Sequence, residues 1–104
     1  MKKFYVYILA NSYNNVLYIG ATSNLTKRVF EHKQKVVSGF TEKYNLTKLV
    51  YFEECDEVYT ALAREKQLKN WHRSWKIDLI RGLNPQFQDL STLFFGGDPE
   101  SSSG

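Results

Sequence analysis

The chain has 104 residues, of which 42% are hydrophobic and 24% charged, and its formal net charge is +3. This length supports one folded domain with one core and excludes a two-domain protein. The mild positive charge permits a nucleic-acid partner without requiring one. Cys55 is the only cysteine, which excludes a disulfide framework and fits a reducing cytoplasm. No long apolar run follows the two lysines near the start, so neither a signal peptide nor a membrane span is expected.

The first predicted elements are two strands joined by a turn. Residues 5–9 and 16–20 are rich in aromatic and β-branched residues, and the polar residues between them have turn composition. Pairing the strand ends across this turn places Tyr7 opposite Gly20. Since side chains alternate between the two faces of a strand, this register puts Tyr7 and Tyr18 on the same face. Gly20 is then expected to leave open space beside the Tyr7 ring, where a ligand or another backbone could approach.

A helix is predicted over residues 25–35, with Ser23 or Asn24 as its N-cap. Arg28 and His32 are four residues apart, so they lie on one helical face. Arg28 alone is typical of a solvated helix surface, and His32 alone fits a structural histidine as well as an active-site group. Their place directly after the hairpin favours a polar site in which two phenols, a guanidinium and an imidazole converge.

Residues 35–45 are predicted to be a loop, because the helical periodicity fades around Gly39. Basic and aromatic residues interleave in and near it: Lys33, Lys35, Phe40, Lys43 and Tyr44. This pattern favours phosphate contacts and stacking on bases or sugars. The alternative is a surface loop that Phe40 and Tyr44 anchor in the core. Residues 48–53 then form a third strand, whose continuous apolar run favours a central position in the sheet.

The next predicted helix, over residues 57–71, carries a carboxylate in its apolar stripe. The stripe consists of Val58, Ala61, Leu62 and Leu68. Glu65 interrupts it, and a carboxylate there must be paired, bound to a metal or open to a cleft, because burying it alone is costly. The structural alternative to a metal site is a salt bridge to Arg28 or to a lysine. The residues expected to face solvent are Arg64, Lys66 and Gln67.

The fold class predicted from these elements is α/β, of the α+β kind, in the order β-β-α-β-α-α. Ser74 is a candidate N-cap for a last helix over residues 76–83, which Pro85 ends. The connection between the second and third strands is long enough for a parallel crossover. We therefore expect a small three-stranded mixed sheet flanked by helices.

Residues 1–90 are predicted to form the folded domain, and residues 91–104 a largely disordered C-terminal tail. Phe94 and Phe95 are expected to dock on the domain. Disorder is expected mainly over residues 96–104, which are rich in glycine and serine.

Two short motifs and three single residues resemble the GIY-YIG nuclease family, and above all its small single-domain bacterial members. They are Tyr5-Val6-Tyr7, Tyr18-Ile19-Gly20, Arg28, His32 and Glu65. Each motif alone is weak, but their order and spacing together are specific, and the likeness extends over residues 4–90. The sequence departs from the family at two positions. Tyr5 stands where the name-giving glycine would be, and Ala21 stands where some members have a lysine.

The resemblance implies a GIY-YIG endonuclease fold and a metal-dependent endonuclease that hydrolyses DNA phosphodiester bonds, on branched or damaged DNA in repair or recombination. The catalytic residues that it implies are Tyr7, Tyr18, Arg28, His32 and Glu65. Glu65 is implied as the ligand of one Mg²⁺ or Mn²⁺ per active site. We favour Tyr7 as the general base, with Tyr18 positioning the water and phosphate. His32 is then either the proton acceptor or the residue that orients the general base.

Nucleic-acid binding is expected at Gly20, Lys33, Lys35, Lys43, Lys69 and Asn84. Asn84 is included because it resembles an asparagine that many family members place after the glutamate helix. DNA is the expected partner, with RNA as the alternative, and no membrane partner is expected. The expected assembly is a monomer or a weak homodimer. Two alternatives to a nuclease remain: a catalytically silent nucleic-acid-binding module on the same scaffold, and a protein-interaction domain whose polar cluster is structural.

Overall fold

The computed structural model describes residues 2–35 and 39–94. The elements in chain order are β1 (Phe4–Ala10), β2 (Leu17–Thr22), α1 (Leu25–Lys33), α2 (Phe40–Lys43), β3 (Lys48–Cys55), α3 (Val58–Asn70), α4 (Arg73–Leu83) and a 3₁₀ turn (Leu90–Leu93). The predicted α+β class is confirmed, together with its three strands and three longer helices. Within this part of the chain, no helix is both long and apolar enough to cross a membrane.

The sheet is antiparallel throughout, with the strand order β2-β1-β3. β1 pairs with β2 on one side and with β3 on the other. The predicted mixed sheet with a parallel β2–β3 contact is therefore wrong, and so is the central position for β3. The burial of the strands agrees with this order. In β1, residues 6–10 are all buried, whereas β3 is buried only over residues 49–51 and then continues to Glu53 and Glu54.

Alternation of side chains along β1 divides the core into two clusters. Ile8 lies on the face covered by α3 and α4, in one cluster with Leu68 and Ile80. Tyr7 lies on the opposite face, in a second cluster with Val29 of α1. The sheet is therefore covered on both faces, and the face of Tyr7 is the one that α1 packs against.

The predicted loop at residues 35–45 contains the short helix α2. Gly39 precedes α2 with φ of 94°, a left-handed conformation that suits glycine. Thr41 and Leu46 are buried, and the Leu46 N–H donates a hydrogen bond to the Thr41 carbonyl at 2.9 Å. Phe40 and Tyr44 remain 49% and 40% exposed. The alternative in which these two rings anchor the loop in the core is wrong, because Thr41 and Leu46 perform that task.

The last two helices differ from the prediction in detail. Of the predicted stripe on α3, Ala61 and Leu68 are buried, while Val58 and Leu62 are 39% and 49% exposed. α4 begins at Arg73 with His72 at the N-cap position, so Ser74 lies within the helix and is not its cap. The end of α4 at Leu83 agrees with the prediction.

The chain after α4 packs back onto the sheet. The 3₁₀ turn crosses the predicted domain boundary at residue 90, and Ser91 is 1% exposed. The Phe94 ring lies 5.6 Å from the ring of Phe52 on β3, as measured between centroids, so the predicted docking of Phe94 is confirmed. The predictions for Phe95 and for residues 96–104 lie outside the described residues.

Candidate active site

The hairpin that carries the two tyrosines has the predicted register. Tyr7 lies opposite Gly20, and Tyr18 lies opposite Leu9. Both tyrosines therefore point to one face of the sheet, and their ring centroids are 6.4 Å apart. The alternation rule and the turn composition were sufficient to predict this geometry, because hairpin pairing is local in sequence.

Gly20 makes room for the Tyr7 ring itself. A Cβ atom at residue 20 would lie 2.5 Å from both Cζ and Oη of Tyr7. The expectation of open space beside the ring is therefore wrong, since the ring occupies that space. Because Gly20 lacks a side chain, Tyr7 extends from the central strand across β2, and its hydroxyl lies over the backbone of this edge strand.

Helix α1 brings Arg28 and His32 to the pair of tyrosines. Asn24 caps its first turn through its side chain, so Asn24 is the N-cap among the two predicted candidates. His32 Nε2 lies 3.3 Å from the Tyr7 hydroxyl. The His32 ring centroid is 5.9 Å from that of Tyr18. The imidazole thus contacts both phenol rings.

The environment of His32 favours a neutral imidazole. The residue is 3% exposed, and burial, followed by the charge of Arg28, lowers its pKa from the ordinary value of 6.5. Its Nδ1 atom is buried and has no hydrogen-bond partner among the described residues. The lowered pKa favours the neutral imidazole, and Nε2 is the ring nitrogen directed at the Tyr7 hydroxyl.

The environment of Tyr7 keeps its hydroxyl protonated. Burial raises its pKa well above the ordinary value of 10, and Tyr18 adds to this effect. The Arg28 guanidinium acts in the opposite direction by favouring the phenolate, whereas the negative charge of Glu65 disfavours it. The charges of Arg28 and Glu65 therefore both affect the pKa of the Tyr7 hydroxyl, although these residues lie on α1 and α3 and not on β1.

Arg28 and Glu65 each have an ion-pair partner on their own helix. Glu65 Oε2 lies 2.9 Å from Lys69 Nζ, and Arg28 Nε lies 3.4 Å from Glu31 Oε1. Among the described residues, Glu65 forms its salt bridge with this lysine and not with Arg28. Each pair joins a partly buried carboxylate, 19% exposed in Glu65 and 27% in Glu31, to an exposed cation, 51% in Lys69 and 42% in Arg28. Because solvent reaches the cation, each pair is worth about 0–1 kcal/mol. Sequence reasoning missed Glu31, although its i,i+3 spacing from Arg28 could have identified it.

Glu65 is the carboxylate for which the sequence predicts metal binding. Over residues 2–35 and 39–94, no group of three or more His, Cys, Asp or Glu side chains is arranged to hold a metal by itself. Mg²⁺ is commonly held by one or two carboxylates while water and substrate phosphate oxygens complete its shell. Glu65 fits this mode of binding, since its side chain is 19% exposed and is paired with a flexible surface lysine.

The lysines predicted for nucleic-acid binding differ in their surroundings. Lys35 and Lys43 are exposed, after α1 and at the end of α2. Lys33 instead donates hydrogen bonds to the Asp89 carboxylate and to the Thr47 carbonyl. Burial raises the pKa of the Asp89 carboxyl, but hydrogen bonds from Lys33 and its other neighbours outweigh this and lower it. Lys33 therefore ties α1 to Thr47, just before β3, and to Asp89, just before the 3₁₀ turn.

Asn84 makes main-chain contacts at the end of α4. The residue is 5% exposed. Its amide donates to the carbonyls of Val50 at 3.0 Å and Gln88 at 2.8 Å, and it accepts a hydrogen bond from the Gln88 N–H at 3.0 Å. These bonds join the end of α4 to β3 and do not involve the five candidate catalytic residues.

Arg64 does not face solvent, contrary to the prediction. Its guanidinium donates to both carboxylate oxygens of Glu53, at 3.0 and 2.8 Å, and lies 5.2 Å from the centroid of the Trp71 ring. The Tyr51 hydroxyl donates to the same carboxylate. Burial raises the pKa of the Glu53 carboxyl, but the hydrogen bonds from Arg64 and Tyr51 outweigh burial and lower it. Lys66 and Gln67 are exposed, as predicted.

Comparison with known proteins agrees with this geometry. The family model of the GIY-YIG catalytic domain matches residues 3–78, and the chain therefore belongs to the GIY-YIG nuclease family. Within that family it is similar to proteins named UPF0213. The UPF0213 protein of Syntrophus aciditrophicus is 40% identical over 87 residues, which cover 83% of this chain and 98% of that protein.

Two further comparisons give the same result. The UPF0213 protein of Pediococcus pentosaceus is 36% identical over 78 residues, or 75% of this chain and 81% of that protein. The solution NMR structure of a UPF0213 protein from Bacillus halodurans superimposes with a TM-score of 0.55 at 22% identity, covering 88% of this chain and 97% of that one. This structural similarity shows a shared fold.

Proposed function

We propose that the chain is a metal-dependent endonuclease that hydrolyses phosphodiester bonds in DNA. The observation that supports this is the convergence of Tyr7, Tyr18 and His32 in mutual ring contact. The charges of Arg28 and Glu65 act on the Tyr7 hydroxyl at the same place. This set supplies the three things that hydrolysis needs: a path for the proton of water, a cation for the phosphate, and a carboxylate for a metal ion.

Tyr7 and His32 form the proton path in this mechanism. A water molecule attacks phosphorus opposite the leaving 3′ oxygen and must lose a proton. Because burial keeps Tyr7 protonated, Tyr7 acts as a relay: its oxygen accepts the proton of water while its own proton passes to His32 Nε2, 3.3 Å away. His32 is suited to receive it, since its lowered pKa keeps the imidazole neutral. Tyr18 positions the water and the phosphate.

Arg28 neutralises the charge that grows on the non-bridging phosphate oxygens. A guanidinium offers forked, charge-assisted hydrogen bonds to such oxygens. Its pairing with Glu31 at 3.4 Å is a weak surface contact, so a phosphate is able to replace the carboxylate at little cost. Removing one such donor typically costs about 2.7–4 kcal/mol of transition-state stabilisation.

Glu65 would hold one Mg²⁺ or Mn²⁺, whose remaining ligands would come from water and substrate phosphate oxygens. When bound, the cation polarises the phosphate and offsets the charge on the leaving oxygen. Glu65 exchanges Lys69 for the metal, and the loss is small because an i,i+4 pair of this kind is worth about 0.3–0.5 kcal/mol. One site cuts one strand, so cutting both strands takes a dimer or two binding events.

The same proposal includes binding of DNA, with RNA as a second candidate, through Lys35, Lys43 and Lys69. On duplex DNA, log K for binding falls linearly with the logarithm of the salt concentration. Each neutralised phosphate makes the slope of this line more negative by about 0.9. Branched or damaged DNA in repair, and a cytoplasmic location, complete the proposal. The net charge of +3 permits a nucleic-acid partner and the single cysteine fits a reducing cytoplasm, while the type of DNA is suggested by the family alone.

Cleavage assays on single-stranded, duplex, flap and junction substrates test this function, with Mg²⁺, Mn²⁺ or a chelator. We expect metal-dependent cleavage by the wild type and none by Glu65→Gln. Without metal, Glu65→Gln should melt close to the wild type, because its Lys69 pair is on the surface. Binding without cleavage under every condition would favour the silent binding module. A mutant that melts far below the wild type but keeps its activity per folded molecule would overturn the metal role.

A further inference from the structure

Phe40 and Tyr44 form an exposed aromatic pair on α2. They are four residues apart, at the first residue of the helix and just after its last, so they share one face. Their ring centroids are 4.8 Å apart. The two side chains stay 49% and 40% exposed, although buried Thr41 and Leu46 already anchor this segment. The fold of the loop therefore leaves both rings available to a partner.

This pair continues the aromatic surface of the candidate active site. The Phe40 ring centroid lies 6.4 Å from that of Tyr18, and Tyr18 lies at the same distance from Tyr7. The four rings thus run from the buried Tyr7 hydroxyl out to solvent at Tyr44. A nucleotide whose phosphate lies at Tyr7 and Tyr18 has its own base, or that of its neighbour, within reach of Phe40.

The charges around the pair suit a polyanionic strand. Lys43 Nζ lies 5.5 Å from the centroid of the Tyr44 ring, and Lys35 is exposed nearby and bonded to the neutral side chain of Asn45. These two lysines outnumber Glu42, the acidic residue of α2. Exposed rings beside flexible cations are the combination by which proteins bind single strands through stacking and phosphate neutralisation.

A stacking partner must be a base that is free of its neighbours. In a duplex the faces of the bases are covered and only their edges are accessible in the grooves. Extruding a base from the stack costs free energy, and this cost is least for a mismatched or already single-stranded base. A ring pair beside the scissile phosphate therefore selects for strands that are already unpaired.

We propose that Phe40 and Tyr44 are a stacking platform for an unpaired base next to the scissile phosphate, and that the substrates are single-stranded or locally unpaired nucleic acids. This inference rests on the proposed nuclease function and deepens it by naming the substrate class. Phe40 and Tyr44 are positioning residues, since they hold the base and not the reacting atoms.

Single-turnover cleavage of one oligonucleotide, offered single-stranded or as a perfect duplex, tests the substrate class. We expect the wild type to prefer the single strand. Phe40→Ala and Tyr44→Ala should each weaken its apparent binding by about 5- to 150-fold, the range that loss of one stacked base implies, with the maximal rate nearly unchanged. Phe40→Trp keeps an aromatic ring at this position and should bind the single strand as tightly as the wild type does. The control is Tyr59→Ala, which removes a ring that is 80% exposed on α3 and should change nothing. Equal cleavage of the duplex, or equal effects of control and platform variants, would overturn the proposal.

A binding experiment separates the platform from the chemistry. Glu65→Gln protein is titrated with oligonucleotides that carry 2-aminopurine, whose fluorescence falls on stacking, at successive positions. We expect quenching at one position, and its loss when Phe40→Ala is added. An abasic site at that position should weaken binding as much as Phe40→Ala does, and the two changes together should cost no more than either alone. Quenching by the Glu65→Gln protein, together with a wild-type chain that cleaves none of the substrates with any metal, would leave the platform standing and overturn the nuclease function. Cleavage without quenching at any position would overturn the platform alone.

Discussion

The chain contains two sets of the same three residue types, and they behave differently. The structural set consists of Tyr51, Glu53 and Arg64. The site set consists of Tyr7, Arg28 and Glu65. The two tyrosines lie on opposite faces of the sheet, because Tyr51 pairs with the neighbour of Tyr7 on β1, Ile8. Both are buried, and burial raises the pKa of both hydroxyls, that of Tyr51 to about 12.

The difference lies in their partners. In the structural set the carboxylate accepts hydrogen bonds from the tyrosine and from both ends of the guanidinium fork. A ligand would have to break this network. In the site set, Arg28 and Glu65 are paired with Glu31 and Lys69 through surface contacts that cost little to exchange. Residue type therefore does not distinguish the two sets in this chain, whereas the partners of their charged side chains do.

Replacing the two arginines should separate the sets by the largest margin. We predict that Arg28→Ala lowers the rate of cleavage about 10²- to 10³-fold, because a donor to the phosphate is lost. Its melting temperature should change little, since the pair with Glu31 is weak. Arg64→Ala should have the opposite effects: lower stability, with activity per folded molecule retained. Similar rates for Arg28→Ala and the wild type would show that Arg28 does not act on the phosphate.

Glu53→Gln should have the next largest effect, and on stability alone. The change removes the charge that Arg64 and Tyr51 surround, and we predict a loss of about 1–3 kcal/mol in the free energy of unfolding. Chemical denaturation measures this loss, with Glu65→Gln as the matched control. A larger loss for Glu65→Gln than for Glu53→Gln would mean that the roles of the two carboxylates are reversed.

The smallest expected effect is a difference in acid stability. Hydrogen bonds lower the pKa of Glu53 in the folded state below the ordinary value of 4.5. A lowered folded-state pKa gives stability that is fully present above the unfolded-state value and is lost as the pH falls through the folded-state value. The difference in unfolding free energy between wild type and Glu53→Gln should therefore be constant near neutral pH and shrink below about pH 4.5. A difference that stays constant down to pH 3 would contradict the assigned shift.

Local patterns in the sequence predicted the geometry around Tyr7 better than the strand order of the sheet. The register of the Tyr7–Tyr18 hairpin and the shared face of Arg28 and His32 follow from periodicity within a few residues, and both are confirmed. The position of β3 depends on which strand it pairs with across the chain. Its apolar run is as compatible with an edge covered by the 3₁₀ turn as with the centre, so composition alone was insufficient.

Long polar side chains were the second source of error. Arg64 lies off the apolar stripe of α3, but its length allows it to reach back to Glu53 on β3. Asn84 resembles an asparagine of the family, and its amide donates to main-chain carbonyls of β3 and of the turn after α4, so its role in nucleic-acid binding stays a prediction. Helical position predicts where a Cβ atom points, but the partner of a long or amide side chain depends on tertiary neighbours.

The central claim is that chemistry occurs at Tyr7 and not merely near it, and a pair of phenylalanine variants tests this most directly. Tyr7→Phe and Tyr51→Phe each remove one buried hydroxyl and keep the ring. In single-turnover cleavage with saturating Mg²⁺, we predict that Tyr7→Phe is slower by about 10²- to 10⁴-fold, the usual contribution of a group that transfers a proton. Tyr51→Phe should cleave at the wild-type rate per folded molecule. A Tyr7→Phe variant that cleaves as fast as the wild type would contradict the claim and place the chemistry elsewhere.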